Sequence, residues 1–142
     1  MVTSASASSE LVLRGYRAFV DGDFDTISSL LAPEIEWYPA GGEGAYANHS
    51  DAVEAIRDAY SEGHRVELER CISRGDDVVV SFRAAREARD PNDPRPLQSR
   101  RTFTIARYAA VITIEDGLVA RVREYPHLTA ALEAAGIDPD EA

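Results

Sequence analysis

The hydrophobic pattern of the chain changes its period at Gly63, and this change limits the possible folds more than any other feature. Before Gly63, apolar residues recur three or four positions apart, which is the spacing of one helix face. From His64 to Tyr125 they recur mainly at every second position, which is typical of half-buried strands. Helices followed by a run of strands indicate an α+β fold, with the helices packed on one face of a curved sheet.

Two helices are predicted at the start of the chain. Residues 10–31 have helical spacing, interrupted where Gly22 can close the first helix and Asp23 can cap the second. Pro33 is expected to end the second helix, because the residue before a proline avoids helical backbone.

A third helix and the strands follow. The segment SDAVEAIRDAYSEG predicts a helix capped by Ser50 or Asp51 and stopped by Gly63. EIEWY precedes this helix as a short strand, and RVELERCIS, DDVVVSFRAARE, LQSRRTFTIARYAAVITI and LVARVREY are the later strands, the third of them with an expected bend at Ala109–Ala110. DPNDPRP, with three prolines, is predicted to be an exposed loop, and HLTAALEAAG a C-terminal helix.

The length of 142 residues suits one domain, which we place at residues 10–136. Residues 1–9 are expected to form a disordered tail and residues 137–142 a flexible one. The single cysteine, Cys71, excludes an intramolecular disulfide, and no apolar run approaches the ~18 residues of a membrane-spanning helix. These features, with a start that lacks a signal peptide, predict a cytoplasmic protein.

The charge of the chain argues against two classes of partner. The net charge is −10, from 15 basic and 25 acidic residues. A nucleic-acid-binding protein normally presents a basic surface, and an acidic chain is repelled by anionic membranes, so we expect neither partner. All the basic residues are arginine, and the absence of lysine excludes Schiff-base chemistry.

The order of these segments resembles the nuclear transport factor 2-like superfamily, and within it the SnoaL-like and ketosteroid isomerase-like group. YRAFVDGDFDTISSLLAPEIEWYPAGG is similar to the opening of this group, SDAVEAIRDAY to its third helix, and VITIEDGLVARVREY to its closing hairpin. The resemblance covers nearly residues 10–136. It implies a strongly curved, mostly antiparallel sheet, shaped as a cone around three helices, with a mostly apolar pocket for a small hydrophobic molecule and no cofactor.

The resemblance also shows where the chain departs from ketosteroid isomerases. Those enzymes use an aspartate base just before a proline on the first strand, a helix-1 tyrosine and a protonated aspartate on a later strand. Here Tyr38 precedes Pro39, and a tyrosine with its ordinary pKa of ~10 is a poor base. The position of the protonated aspartate aligns near Ala109 or Ala110. Tyr16 lies about one residue away from the position of the helix-1 tyrosine. The sequence therefore argues against steroid isomerisation by that mechanism.

The other reactions known in this group were compared with the residues available in this chain. Similarity to SnoaL-like cyclases implies an acid/base residue, for which Glu124, His49 and His127 are available. Strand alternation puts Val122 and Glu124 on one face, which the family's last strand turns inward. The Asp–Arg–Asp constellation of the group's epoxide hydrolases has no match on inward strand faces, and the histidines lack the paired spacing of a metal site.

The predicted site follows from these faces. Glu124 and Tyr38 are the catalytic candidates. The candidates for contact with the ligand are Tyr16, Trp37, His49, Phe82, Tyr108, Ile112 and Val122.

Several of these residues also have a structural interpretation. Tyr38 and Trp37 could pack at a helix–sheet seam, Glu124 could pair with an arginine, and His49 could lie on a surface loop. The sequence therefore leaves two functions open. One is an isomerase, cyclase or dehydratase that acts on a hydrophobic carbonyl compound, and the other is a non-catalytic ligand-binding or dimerisation module. A homodimer is expected through an outer sheet face that carries Val79, Ser81, Arg83, Val119, Arg121 and Arg123.

Overall fold

The fold is α+β, as the sequence predicted. The computed structural model describes residues 7–40, 45–46, 48–87 and 102–141, without the side chains of residues 86–87 and 102–105. This part of the chain forms α1 (Ala7–Asp21), α2 (Phe24–Leu30), β1 (Leu31–Tyr38), α3 (His49–Ser61), β2 (His64–Arg74), β3 (Asp77–Glu87), β4 (Thr102–Glu115), β5 (Leu118–Tyr125) and α4 (Leu128–Ala134), with a last 3-10 turn at Pro139–Glu141. No helix in these ranges is long and apolar enough to cross a membrane.

The five strands form one open sheet in the order β1-β5-β4-β3-β2. The last strand lies between β1 and β4, parallel to β1, whereas the other neighbours are antiparallel. The β4–β5 turn has positive φ at Asp116 (52°) and Gly117 (75°), as a two-residue hairpin turn requires. The parallel pairing brings the ends of β1 and β5 together, although these strands are far apart in sequence.

Three strands carry an extra residue that has no partner in the neighbouring strand. These residues are Glu69 in β2, Ile105 in β4 and Ala120 in β5. A bulge of this kind bends and twists a strand, and it also reverses which residues face each side afterwards. The pairing of β4 with β3 is regular at Ala109–Ala110 and irregular at Ile105, so the bulge lies four residues before the position where the sequence suggested a bend.

The concave face of the sheet packs against α1, α2 and α3. Its core consists of aliphatic side chains from both layers, such as Val12, Ile27, Ile35, Val80 and Ile114, each at most 7 % exposed. On the convex face, α4 packs through Ala131 and Leu132 onto Val79, Ala109 and Val111, which form a second, smaller core.

Three arginines of the convex face have counter-charges within the chain. Arg83 pairs with Glu67, Arg107 with Glu69 at 3.1 Å, and Arg121 with Glu36 at 3.5 Å. Arg123 lies on the same face, and its buried Nε has no hydrogen-bond partner among the described residues. The homodimer through this face stays a prediction.

The expected position of Val119 on the convex face is wrong. The bulge at Ala120 turns both Val119 and Val122 toward the concave face, where each is at most 7 % exposed. Strict alternation along β5 cannot place both residues on one side.

Some element boundaries also differ from the prediction. Helix α1 begins at Ala7 rather than at residue 10. Helix α2 ends at Leu30, one residue earlier than predicted, and β1 begins at Leu31, so Pro33 lies within the strand. An edge strand such as β1 tolerates a residue without an N–H group. The cap of α3 is Asn48, whose side chain accepts a hydrogen bond from the Asp51 amide at 2.9 Å. The loop DPNDPRP lies outside the described residues.

We predict that Gly22→Ala lowers the free energy of unfolding more than Gly75→Ala. Both glycines have positive φ (68° and 60°), so each substitution costs about 1–2 kcal/mol of backbone strain. A Cβ at Gly22 would also lie 3.1 Å from the Tyr60 ring, whereas nothing lies within 4 Å at Gly75. Urea unfolding of the two variants measures the difference. Equal losses would show that the Tyr60 ring moves away freely.

Candidate functional site

A cavity of about 440 Å³ lies between the concave face of the sheet and the helices. This volume falls in the range of small-molecule sites, which is about 300–1,000 Å³. Its walls are almost entirely apolar. The core aliphatic residues form its floor, and the polar groups are few and come from separate elements. Such a cavity favours a largely hydrophobic ligand oriented by a small number of hydrogen bonds.

Small side chains keep the helical side of the cavity open. Ala52, Ala55 and Ala59 of α3 line it at spacings of three and four residues, so they share one face of the helix. Gly15 lines it from α1. Larger residues at these positions would fill the space between the two layers.

Three aromatic rings form a continuous part of the wall. The ring centroids of Tyr16 and Phe82 are 6.3 Å apart, and those of Phe82 and Tyr108 are 5.4 Å apart. Phe82 and Tyr108 are direct partners in the β3–β4 pair, so the sheet fixes their separation. Each pair of neighbouring rings is tilted by 34°, so the rings form a curved aromatic wall against which a ring-containing ligand can pack.

The carboxylate of Glu124 is held at the cavity wall by two hydrogen bonds. Its Oε2 accepts from Trp37 Nε1 at 2.9 Å, and its Oε1 accepts from the Ala40 amide at 3.1 Å. Trp37 pairs with Val122 in the parallel β1–β5 ladder, which brings the indole to Glu124. An ionised carboxylate accepts about four hydrogen bonds, so Glu124 retains capacity toward the cavity. The alternative pairing of Glu124 with an arginine does not occur among the described residues.

Tyr108 lies close to Glu124 on the neighbouring strand. Burial raises the pKa of the Tyr108 phenol, and the negative charge of Glu124 raises it further. No hydrogen bond joins its hydroxyl to another described residue, so the hydroxyl can donate to a ligand. At neutral pH Tyr108 is therefore a protonated donor beside a carboxylate.

Tyr38 does not line the cavity, contrary to the prediction. Adjacent residues of a strand point to opposite sides, and Trp37 takes the inward position. The Tyr38 side chain is on the outer side, where the residue is 41 % exposed and its hydroxyl donates to Glu36. This hydrogen bond raises the pKa of Tyr38, which makes the phenolate rarer still at neutral pH.

His49 also lies away from the cavity wall. It begins α3, and its Nε2 is 2.7 Å from the Ser28 carbonyl oxygen, so the ring links α3 to α2. His127 caps α4 on the convex side, where its Nδ1 accepts from the Ala130 amide at 3.3 Å. Of the three acid/base candidates, only Glu124 faces the cavity. The other predicted contact residues, Tyr16, Trp37, Phe82, Tyr108, Ile112 and Val122, all line it.

Besides apolar residues, the cavity wall includes Tyr46 and His64, whose polar groups were not among the predicted site residues. Tyr46 is placed by a backbone bridge to Trp37, with both hydrogen bonds at 2.9 Å. His64 faces inward with Val66 at the start of β2. His64 has the same parity as the apolar Val66 and Leu68, and this alternation was the available signal for its inward position. Within the described ranges, no three His, Cys, Asp or Glu residues are close enough to hold a metal ion.

Comparison with known proteins places this architecture in a family. The model of the SnoaL-like domain matches residues 12–122. The chain belongs to the SnoaL-like domain family. This agrees with the resemblance noted in the sequence and with the fold. No curated protein matches the SnoaL-like chain in sequence.

Solved structures share the fold at low sequence identity. A candidate SnoaL-like polyketide cyclase from Jannaschia is 23 % identical with a TM-score of 0.67, over 98 % of this chain and 99 % of its own. TerC, co-crystallised with polyporic acid, is 24 % identical with a TM-score of 0.66, over 90 % and 97 %. An LEH-like epoxide hydrolase from M. tuberculosis is 17 % identical with a TM-score of 0.67, over 94 % and 87 %. At these identities the likeness shows the fold alone.

We predict that Glu124→Ala destabilises the chain and changes the fluorescence of Trp37, the single tryptophan. The variant leaves the Trp37 indole and the Ala40 amide without their acceptor, which we expect to cost about 1–2 kcal/mol because the Ala40 bond is exposed and water can replace it. Urea unfolding followed by tryptophan emission measures both effects. The exposed Glu115→Ala is the matched control, with an expected change within about 0.5 kcal/mol. Equal behaviour of the two variants would contradict the role of Glu124.

We predict that Tyr108 makes the fold less stable at alkaline pH. Because the pKa of Tyr108 is raised in the folded state, the folded chain keeps this proton after the unfolded chain has lost it. The free energy of unfolding should therefore fall above pH ~10, by up to about 1.4 kcal/mol per pH unit. In Tyr108→Phe, the decrease that comes from this phenol should be absent. Unfolding of wild type and variant from pH 7 to 11 measures it. A constant difference between them across this range would contradict the prediction.

Proposed function

We propose that this SnoaL-like chain is a cofactor-independent acid–base catalyst that enolises a small hydrophobic carbonyl compound. The observation that carries the proposal is the Glu124 carboxylate, fixed by Trp37 and Ala40 at the wall of an apolar cavity beside the protonated Tyr108. A positioned base next to a neutral donor is what proton removal alpha to a carbonyl requires.

The proposed step uses the two groups together. The carbonyl oxygen of the ligand accepts a hydrogen bond from Tyr108, and Glu124 removes a proton from the adjacent carbon. The electron pair of the broken C–H bond forms the enolate, whose oxygen the Tyr108 hydroxyl stabilises. In an isomerase, the protonated Glu124 returns the proton to another carbon. In a cyclase, the enolate carbon forms a C–C bond to a second carbonyl, whose oxygen takes the proton from Glu124. In a dehydratase, the C–O bond of a β-hydroxyl breaks as the enolate collapses, and the proton from Glu124 releases the hydroxyl as water.

Relatives of the same fold support the kind of ligand. TerC was crystallised with polyporic acid, and the Jannaschia protein is a candidate polyketide cyclase. For the present chain, the cavity of about 440 Å³ equals the liquid volume of about 15 water molecules, at about 30 Å³ each. A carbonyl compound of two to four fused rings fits within this volume.

A non-catalytic module is the alternative function, and one observation favours it. Both oxygens of Glu124 already accept hydrogen bonds from the protein, which joins the end of β1 to β5 without any ligand. In that case the cavity would bind a hydrophobic molecule, and Glu124 would serve only to hold the two strands together.

We predict that the protein accelerates exchange of the α-hydrogens of 1-tetralone with D₂O, followed by proton NMR. General base catalysis contributes about 10²–10⁴-fold, so Glu124→Gln should lower the protein-dependent rate by at least about 10²-fold. Tyr108→Phe should lower it by a similar factor, since it removes the donor to the enolate oxygen.

Two measurements complete this test. Glu115→Gln is the matched control and should leave the exchange rate unchanged. Quenching of Trp37 fluorescence by 1-tetralone reports binding independently, because the indole lines the cavity. Binding without accelerated exchange would reject the catalytic proposal and favour the non-catalytic module.

A further inference from the structure

Glu124 is the one acidic side chain among the described residues that line the cavity, and no arginine is among them. His64, the histidine at the cavity wall, lies on β2, which is separated from β5 by β4 and β3. Three strand spacings correspond to about 14 Å, which is too far for an ion pair with Glu124. The described part of the wall therefore combines one carboxylate with an apolar surface and no cation beside it.

The groups that hold Glu124 bring hydrogen bonds and no positive charge. Trp37 donates through its indole N–H at 2.9 Å, and Ala40 donates through its backbone amide at 3.1 Å. The nearest arginines in sequence, Arg121 and Arg123, alternate with Glu124 along β5 and lie on the convex face. Within the described ranges, Glu124 thus has hydrogen-bond donors but no counter-charge.

A half-buried carboxylate of this kind discriminates between ligands by their charge. Taking a charge out of water costs free energy unless an opposite charge accompanies it, so a ligand that covers Glu124 is favoured if it is a cation. An ionised carboxylate accepts about four hydrogen bonds and the protein supplies two, so positions for an ammonium group remain. The hydroxyl of Tyr108, which makes no hydrogen bond to a described residue, is a further acceptor close by.

We propose that the cavity binds a hydrophobic amine in its protonated form, with Glu124 as the counter-charge. The ammonium group donates to the Glu124 carboxylate and the Tyr108 hydroxyl, and the apolar part packs against the aromatic wall that Phe82 and Tyr16 continue. The net charge of −10 also attracts cations to the chain and repels anions. The ligand class is a primary or secondary amine whose nitrogen is attached to a ring system or an apolar chain.

This ligand class goes beyond the proposed function, and the two ligands compete for one carboxylate. An ammonium group at Glu124 occupies the oxygens that remove a proton from a ketone in the proposed step. The C–H bonds of a simple amine are not next to a carbonyl, so a bound amine blocks α-hydrogen exchange and does not undergo it.

Three ligands with the same bicycle test the proposal. 2-Aminotetralin is a cation at neutral pH, as the lysine amine is, whereas 2-tetralol is neutral and tetralin-2-carboxylate is an anion. Isothermal titration calorimetry at pH 7 gives the three dissociation constants. Wild type should bind the amine at least about 10-fold more tightly than the alcohol, which corresponds to one hydrogen bond to a charged group. The anion should bind most weakly. This order tests the proposal even if a variant does not fold.

Glu124→Gln should bring the affinities for the amine and the alcohol to within about twofold of each other. The glutamine oxygen can still accept from Trp37 or Ala40, and binding of 2-tetralol reports that the cavity of the variant is intact. Glu115→Gln is the matched control, because it removes an exposed negative charge at the end of β4, and it should retain the preference for the amine.

The outcomes separate this inference from the proposed function. Equal affinities for the amine and the alcohol in wild type, an unchanged preference in Glu124→Gln, its equal loss in Glu115→Gln, or failure of all three ligands to bind would overturn the inference. If exchange of 1-tetralone is catalysed, 2-aminotetralin should inhibit it competitively, and catalysis that the amine leaves unchanged would also overturn the inference. A preference that depends on Glu124 without any catalysed exchange would support the inference and reject the catalytic function.

Discussion

The curvature of the sheet is the constraint on which the cavity depends. A flat sheet would let the helices pack directly onto its surface and would leave no space between the layers. The extra residues Glu69, Ile105 and Ala120 bend three of the five strands, and the concave face that results is wider than the helices can fill. The same residues decide which side chains face inward. The three extra residues therefore influence both the shape of the cavity and the choice of side chains that line it.

The candidate base, Glu124, lies on β5, whereas the resemblance places the base on the neighbouring strand β1. In ketosteroid isomerases the base stands just before a proline on the first strand, a position that Tyr38 occupies here and turns outward. Glu124 reaches the cavity from β5, and Trp37, the neighbour of Tyr38, holds its carboxylate. Because β1 and β5 are paired in parallel, either strand end can supply a carboxylate to the same region of the cavity. The fold thus provides a place for a base without fixing the residue that provides it.

Periodicity predicted the helices, the α+β class and the shared face of Tyr108 and Ile112, because long regular segments repeat one geometry. The family resemblance then indicated that this face points inward. Periodicity failed where the geometry changes within an element. Strict alternation put Val119 on the wrong face of β5, because Val119 lies beyond the bulge at Ala120. The hydrogen bonds of Glu124 could not be predicted either, because they depend on the pairing of β5 with β1. The hydrophobic pattern within one segment does not indicate which strands become neighbours.

The alanine face of α3 has a consequence for how such proteins diversify. The polar groups of the cavity lie mostly on strands, whereas Ala52, Ala55 and Ala59 leave the space on the helical side. Exchange of one alanine for valine or leucine would reshape the cavity without touching Glu124 or Tyr108. Selection could therefore tune the outline of the accepted molecule and the reaction separately, through mutations in different elements. A lineage built on this plan could change its ligands many times and keep one chemistry.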